Sequence, residues 1–195
     1  MKKTISKNKG FSLVEMIIVL AIVAVMSTMA LISINIIHSA KAKDAASVFD
    51  SEVATLKTKA KGMGVDANKN GKLDDDEMDL LYCIKIYKDG DTYYLCTGYT
   101  ESGSVATSFV STATNNGGKG RNLSSYVKIK YTGKLADGTT VTDTEPGSDA
   151  ASAIYIVFNK RGECVYGVGE YEFFKPNGRT VARKYIRANG SHGSK

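Results

Sequence analysis

The stretch Phe11-Ser-Leu-Val-Glu15-Met-Ile-Ile-Val-Leu-Ala-Ile-Val-Ala-Val25 opens an apolar segment that continues to Ile37. From Met16 to Ile37 the segment has 22 residues and contains no charge, proline or glycine. As an α-helix it would extend roughly 33 Å, which is enough to cross the hydrocarbon core of a bilayer. We therefore expect residues 11–37 to form a membrane-spanning helix.

The acid Glu15 within this segment, and Gly10 immediately before Phe11, distinguish it from an ordinary anchor or signal peptide. The chain begins with a short leader that contains four lysines, Lys2, Lys3, Lys7 and Lys9. Such a basic flank stays in the cytoplasm and directs the rest of the chain outward. Glu15 lies inside the apolar segment, where an acid costs about 2.5–3.5 kcal/mol and therefore points to a function.

The motif Lys9-Gly10-Phe11-Ser12-Leu13-Val14-Glu15 resembles the prepilin peptidase site of type IV pilins and pseudopilins. The resemblance covers residues 1–37. It implies that a prepilin peptidase cuts after Gly10, removing residues 1–10 as a leader, and methylates the new amine of Phe11. It further implies that Glu15 pairs with the amine of an adjacent, identical or related pilin subunit. The helix lacks the proline that many pilins carry, since the chain has only Pro146 and Pro176.

The same resemblance implies a route through the cell. The subunit would reside in the cytoplasmic (inner) membrane and then be assembled by the pilus assembly machinery into an extracellular filament.

The apolar helix is predicted to continue into a second, amphipathic half. No glycine or proline occurs from His38 to Lys61. Apolar side chains recur at a spacing of three or four residues, which puts them on one helix face; they are Ala42, Ala45, Phe49, Val53, Leu56 and Ala60. Gly62 can end the helix. We expect one helix over residues 11–61 whose second half packs under a sheet, although a free coiled-coil stalk is an alternative.

A calcium-binding loop is predicted at residues 66–77. The sequence Asp66-Ala-Asn68-Lys-Asn70-Gly71-Lys72-Leu73-Asp74-Asp75-Asp76-Glu77 matches the spacing of an EF-hand loop. The expected calcium ligands, each through an oxygen atom, are Asp66, Asn68, Asn70, the Lys72 carbonyl, Asp74 and Glu77. The alternative is an acidic Asn/Gly turn without a metal.

A hairpin should follow this loop. Residues 81–87 and 92–98 read as strands around Asp89-Gly90, a strong two-residue turn signal. With these two residues at the turn, Ile84 pairs with Leu95, and Cys83 lies directly opposite Cys96. A disulfide between these two cysteines is therefore a geometric option, although a cross-strand bridge is strained.

Further alternating segments at residues 126–131, 139–142, 153–158, 164–168, 171–174 and 179–187 predict more strands. We expect an α+β fold in which the long helix packs on an antiparallel sheet of five to seven strands, forming a globular domain over residues 38–195. The tail from Asn189 is expected to be disordered.

The composition argues against an enzyme and against specific nucleic-acid binding. The only histidines are His38 and His192, at the membrane junction and in the tail, so a Ser-His-Asp or Cys-His site is not expected. The formal charge of +6 includes the four leader lysines, and their removal leaves about +2.

These features predict a structural subunit of a type IV pilus. A pseudopilin of a secretion or DNA-uptake machine is the nearest alternative. A membrane-anchored, calcium-dependent surface binding protein that never polymerises is another.

Overall fold

The computed structural model describes residues 10–195, apart from the side chains of Ala30, Leu31 and Asp76. The predicted leader therefore lies outside the described residues except for Gly10. The chain divides into two compact units, one that ends at Ile37 and one from His38 to Lys195.

One long helix, α1, spans Leu13–Gly62. Its bounds confirm the predicted helix to within two residues, the usual uncertainty of a helix end. The helix runs through both units because nothing in the sequence interrupts it. Lys59 and Lys61 occupy its last turn, where positive charge is favourable.

The second unit contains eleven strands and two short 3₁₀ turns. The strands are β1 (Leu80–Asp89), β2 (Thr92–Glu101), β3 (Val110–Ser111), β4 (Arg121–Asn122), β5 (Lys128–Lys134), β6 (Thr140–Thr144), β7 (Ile154–Phe158), β8 (Cys164–Tyr166), β9 (Gly169–Phe174), β10 (Thr180–Ile186) and β11 (His192–Ser194). The 3₁₀ turns are Asp75–Glu77 and Asn115–Gly118.

These strands form two antiparallel sheets rather than the single sheet that we expected. The first has the order β3-β2-β1-β7-β8, with β4 also paired to β2, and the second has the order β11-β10-β9-β5-β6. The α+β class is thus confirmed, but the number of strands and sheets was underestimated. Alternation along a strand indicates which side is buried but does not state which strand is its neighbour.

The apolar stripe of α1 packs into a core shared by both sheets. All six predicted positions, from Ala42 to Ala60, are buried there. The ring of Phe49 lies 4.7 Å from that of Tyr171 and 5.7 Å from that of Phe173, centroid to centroid. Ile84 and Leu95 bring the first sheet into the same core. The helix is therefore held by the inner faces of the sheets and is not a free stalk.

The register of the first hairpin differs from the prediction. Asp89 pairs with Thr92, so the two turn residues are Gly90 and Asp91, and Ile86 rather than Ile84 lies opposite Leu95. Gly90 has φ +60° at the first turn position, as in a type II′ turn. Moving the turn by one residue shifts each pairing by two, which leaves every side chain on its predicted face.

The C-terminal tail is ordered into a strand, contrary to the prediction. β11 pairs with β10, and the Lys195 backbone N–H donates to the Arg183 carbonyl at 3.2 Å. The Lys57 ammonium donates to the Gly190 carbonyl at 2.7 Å. These contacts come from segments distant in the chain, so a polar tail sequence alone does not reveal them.

Candidate functional site

The first candidate site lies at the start of α1. The backbone N–H of Ser12 donates to Glu15 Oε2 at 2.8 Å, and the backbone N–H of Glu15 donates to Ser12 Oγ at 3.2 Å. This reciprocal pair is a capping box, which satisfies two of the free N–H groups at a helix start. Its sequence signature, Ser-x-x-Glu, is present at Ser12 and Glu15 and was the available signal for this interaction.

The capping box places the Glu15 carboxylate next to the segment that carries Gly10 and Phe11. Glu15 turns back to the N–H of Ser12, the residue that follows Phe11. The Phe11 side chain is 82% exposed. A positively charged amine at Phe11 would have this carboxylate within one helical turn. The structure therefore brings together the three predicted residues of the N-terminal site.

The apolar surface of α1 is exposed in the first unit. The large apolar residues that the structure describes between Leu13 and Ile37, Leu31 excepted, are roughly half to three-quarters exposed. An exposed apolar surface of this extent marks contact with a membrane or with other protein. By length and composition, α1 is also suited to cross a membrane.

The predicted calcium loop forms a tight, curled segment between α1 and β1. Asp66 accepts the backbone N–H groups of Asn70 and Gly71 at 3.2 and 2.8 Å. Gly71 has φ +79°, a left-handed conformation that suits glycine. The side-chain oxygen of Asn68 accepts the N–H of Asn70, and that of Asn70 accepts the N–H of Lys72. The local turn that the motif demands is therefore present.

Glu77 closes this loop from its far end. Its side chain is 3% exposed, and Oε1 accepts the backbone N–H groups of Ala67 and Asn68 at 2.8 and 3.0 Å. The side-chain amides of Asn68 and Asn70 both donate to Asp74 Oδ2, at 2.8 and 2.9 Å. The predicted ligands thus form one hydrogen-bonded ring of oxygen-rich side chains.

The donor chemistry of this ring suits calcium, because carboxylate and amide oxygens are its usual ligands in proteins. In this structure, however, these side chains make hydrogen bonds to one another and to backbone N–H groups. Among the described residues, no three Asp, Glu, His or Cys side chains are grouped as a metal site. Calcium binding therefore stays a prediction.

The cysteines do not have the arrangement that suggested a disulfide. Lys85 lies opposite Cys96, and Gly98 lies opposite Cys83, so the predicted direct pairing is wrong. The turn shift at Gly90 is the cause. All three cysteines are free and buried. Burial raises the pKa of Cys83, and it raises the pKa of Cys164 to about 12.

Two buried or stacked groups were not identified from the sequence. The Lys184 ammonium is paired with Asp50 of α1 and donates to Ser194 Oγ at 2.7 Å. Lys184 falls at an inward position of β10, two residues before the buried Ile186, and this alternation was the available sequence signal for its burial.

His38 stacks on Tyr126 with ring centroids 5.1 Å apart, which gives His38 a packing role.

Comparison with known families gives one match. The prokaryotic N-terminal methylation motif matches residues 5–31, which include Gly10, Phe11, Ser12 and Glu15. The match indicates a type IV pilin-like or pseudopilin-like prepilin. Comparison with curated proteins and with solved structures finds no match.

The motif has direct consequences for processing and assembly. It implies processing by a prepilin peptidase and assembly with pilin-type subunits. The membrane-capable helix α1 fits anchoring in the membrane before assembly. The matched residues include the capping box and most of the exposed apolar surface of α1. The motif and the N-terminal candidate site are therefore the same part of the chain.

Proposed function

We propose that this prepilin is a structural subunit of a type IV pilus. After cleavage between Gly10 and Phe11 and methylation of the Phe11 amine, the subunit waits in the membrane and is then added to an extracellular filament. In the filament, the exposed apolar surface of α1 leaves the lipid and packs against the same surface of neighbouring subunits. A catalytic role forms no part of this proposal.

The observation that carries the proposal is the position of Glu15. Its carboxylate is exposed at the start of an apolar helix and contacts only Ser12 among the described residues. In lipid, an unpaired carboxylate is costly. A positively charged amine from an adjacent subunit would neutralise it, and this pairing would set the axial position of each incoming subunit.

We also propose that the loop at residues 66–77 binds one calcium ion. Asp66, Asn68, Asn70, Asp74 and Glu77 would supply side-chain oxygens, and Lys72 its carbonyl. Bound calcium would neutralise the acidic cluster between α1 and β1, and would thereby hold the end of the helix against the first sheet. The curled backbone, the left-handed Gly71 and the inward Glu77 support this assignment.

Processing is tested with the variant Gly10→Val. A Cβ atom at Gly10 would meet no atom of the described residues within 4 Å, so we expect the substitution to leave the fold of residues 38–195 unchanged. We expect the wild-type chain, produced in cells with a prepilin peptidase, to start at methylated Phe11. Gly10→Val should keep its leader, because a branched side chain blocks the cut.

The matched control is Gly62→Val, at a second open glycine, which is the last residue of α1. Mass spectrometry of the purified chains and of sheared surface filaments gives the N-terminus and the filament content together. A normal mature N-terminus in Gly10→Val would overturn the peptidase assignment. Absence of the processed wild-type chain from filaments would overturn the pilus assignment.

A further inference from the structure

A polar cleft opens between α1 and the edge of the first sheet where β3 and β4 pair with β2. Two adjoining cavities, of about 180 and 80 Å³, share the lining residues Glu52, Thr97 and Thr112. Arg121 lines the larger cavity, and Lys59 lines the smaller. Because Glu52 and Lys59 lie two turns apart on the helix, the joined cleft extends about 10 Å.

The cleft exists because the apolar stripe of the core stops on this side. Thr97 follows Leu95 at the next inward position of β2, where an apolar residue would have continued the core. On α1, Glu52, Thr55 and Lys59 flank the buried stripe and face this margin. The lining therefore adds hydroxyl, carboxylate and cationic groups to the apolar floor formed by Leu56 and Leu95.

A rigid loop forms the outer wall of the cleft. Asn116 has φ +52°, and Gly117, Gly118 and Gly120 also have positive φ values. Glycine adopts this conformation freely, whereas the left-handed backbone of Asn116 persists only because surrounding contacts hold it. Here the Asn116 side-chain amide donates to the Gly120 carbonyl at 2.7 Å, and a Cβ at Gly120 would lie 2.4 Å from the Leu95 carbonyl oxygen.

The Lys119 carbonyl, in the same loop, accepts the Tyr87 hydroxyl at 2.9 Å. The loop is thus fixed to the sheet from two sides. Two residues that line the cleft are also held by backbone hydrogen bonds: the Thr112 N–H donates to the Thr97 carbonyl at 3.0 Å, and the Asn115 carbonyl accepts the Gly120 N–H at 3.2 Å.

The charged groups of the cleft select the ligand. Arg121 Nη1 lies 3.2 Å from Glu52 Oε1, with Arg121 half exposed and Glu52 only 22% exposed. A guanidinium has five N–H donors, so this contact leaves further donors available to a ligand. Lys59 adds a second cation at the other end. Two cations against one carboxylate favour a ligand that carries a negative charge.

We propose that this cleft binds an acidic saccharide, with one carboxylated sugar and its neighbour lying along the helix from Lys59 to Arg121. Arg121 and Lys59 would bind carboxylate and hydroxyl groups of the ligand. The Glu52 carboxylate, Thr97, Thr112 and Asn115 would exchange hydrogen bonds with further hydroxyl groups. The site lies on the second unit and is independent of the N-terminal processing motif.

The test is isothermal titration of the full chain in detergent with a hyaluronan tetrasaccharide, which alternates carboxylated and neutral sugars. We expect saturable binding with a dissociation constant below 1 mM, about −4.1 kcal/mol. Arg121→Gln should weaken it at least tenfold, because a charge-assisted hydrogen bond is lost. Asn115→Ala, an exposed loop substitution, should weaken it about threefold. Arg179→Gln, which removes the same charge from the exposed turn between β9 and β10, should leave it unchanged.

Chitotetraose, a neutral tetrasaccharide, should bind at least tenfold more weakly than the hyaluronan fragment. Circular dichroism confirms that each variant is folded. The proposal is overturned if the wild-type chain shows no saturable binding at millimolar tetrasaccharide. Equal binding of the two saccharides would also overturn it, as would unchanged affinity in folded Arg121→Gln and Asn115→Ala. A negative result would leave the pilus assignment intact, since that assignment is tested by the mature N-terminus and by filament content.

Discussion

The Glu15 carboxylate accepts the backbone N–H of Ser12 at 2.8 Å, so the one acid of the apolar segment also caps its helix. One side chain therefore caps the helix and carries the charge that we propose for pairing with an adjacent subunit. A substitution that keeps the cap but removes the charge separates these two functions. Glutamine can replace glutamate in a capping box because its amide oxygen also accepts a hydrogen bond, but it carries no charge.

We predict that Glu15→Gln and Glu15→Ala both fail to enter filaments, because assembly requires the charge. Both variants should accumulate as membrane-held protein. The control is Glu101→Gln, an exposed acid at the end of β2. Filament content is measured by immunoblot of sheared surface fractions. Normal assembly of Glu15→Gln together with failure of Glu15→Ala would mean that capping, rather than charge, is what assembly requires.

Calcium should stabilise the folded chain if the loop at residues 66–77 is a binding site. An extracellular loop of this kind has a dissociation constant of about 10⁻⁴–10⁻³ M. At about 10 mM calcium the gain is then about 1.4–2.7 kcal/mol, which raises the melting temperature by roughly 3–10 °C. Glu77→Gln should abolish this gain in stability, because it removes the negative charge of the last predicted calcium ligand.

The matched control for calcium is Asp79→Asn, which removes an acid just outside the twelve-residue loop and should retain the effect. Melting is followed by circular dichroism in calcium, magnesium and chelator. Identical melting of the wild-type chain in millimolar calcium and in chelator would show that the loop is an acidic turn.

The pair of Lys184 and Asp50 should stabilise the second unit. Lys184 is 9% exposed, and Asp50 Oδ1 is a buried atom without a partner among the described residues. Lys184→Met leaves the Asp50 charge unpaired, and we expect a loss of about 1–3 kcal/mol, the cost of leaving a buried polar group without its partner. The melting temperature should fall by roughly 2–12 °C.

Arg183→Gln, on the neighbouring residue, is the control for this pair. The Arg183 side chain is half exposed in its pair with Glu172, so its loss should cost about 0–1 kcal/mol. Equal melting temperatures for the two variants would refute a special role for Lys184.

Alkaline pH should unfold the chain. Burial raises the pKa values of Tyr131, Tyr155 and Cys164 to about 12 each, above the usual values of about 10 for tyrosine and 8.5 for cysteine. The folded state therefore favours the protonated groups. Their contribution to stability is complete below about pH 8.5 and is lost as the pH rises towards 12.

Tyrosinate absorbance and circular dichroism measured together test this. We expect the buried tyrosines to ionise together with the loss of structure. Tyr155→Phe, which removes one such group, should lessen the fall of stability above pH 9. Ionisation of every tyrosine near pH 10 with the circular dichroism unchanged would contradict the prediction.

The three buried thiols should be unreactive in the folded chain. The thiolate is the reactive form, and burial raises the pKa of Cys83 and Cys164, so little thiolate exists near neutral pH. Iodoacetamide should label none of the three in the native chain and all three after unfolding. Ser102→Cys, at an exposed position, is a control that should label quickly. A Cys83–Cys96 bridge in non-reducing peptide maps would show that the hairpin register is different.

The sequence alone determined the helix and the faces of the first hairpin. The helix follows from an uninterrupted run without glycine or proline between Phe11 and Lys61, and its buried face follows from a spacing of three or four residues. The inward positions of Ile84 and Leu95 follow from strict alternation, which survives a shift of two residues. The N-terminal site was also predictable, because its residues are neighbours in the chain.

Only the tertiary structure decided which distant segments meet. The hairpin register also came from the structure, because both Asp89-Gly90 and Gly90-Asp91 are acceptable two-residue turns, and the structure puts Gly90 first with φ +60°. Lys184 and Asp50 are 134 residues apart, and nothing local links them. Arg121 reaches Glu52 only because β4 pairs with β2 beside α1. Periodicity states which side of an element is buried, whereas partners are chosen by the packing of all elements together.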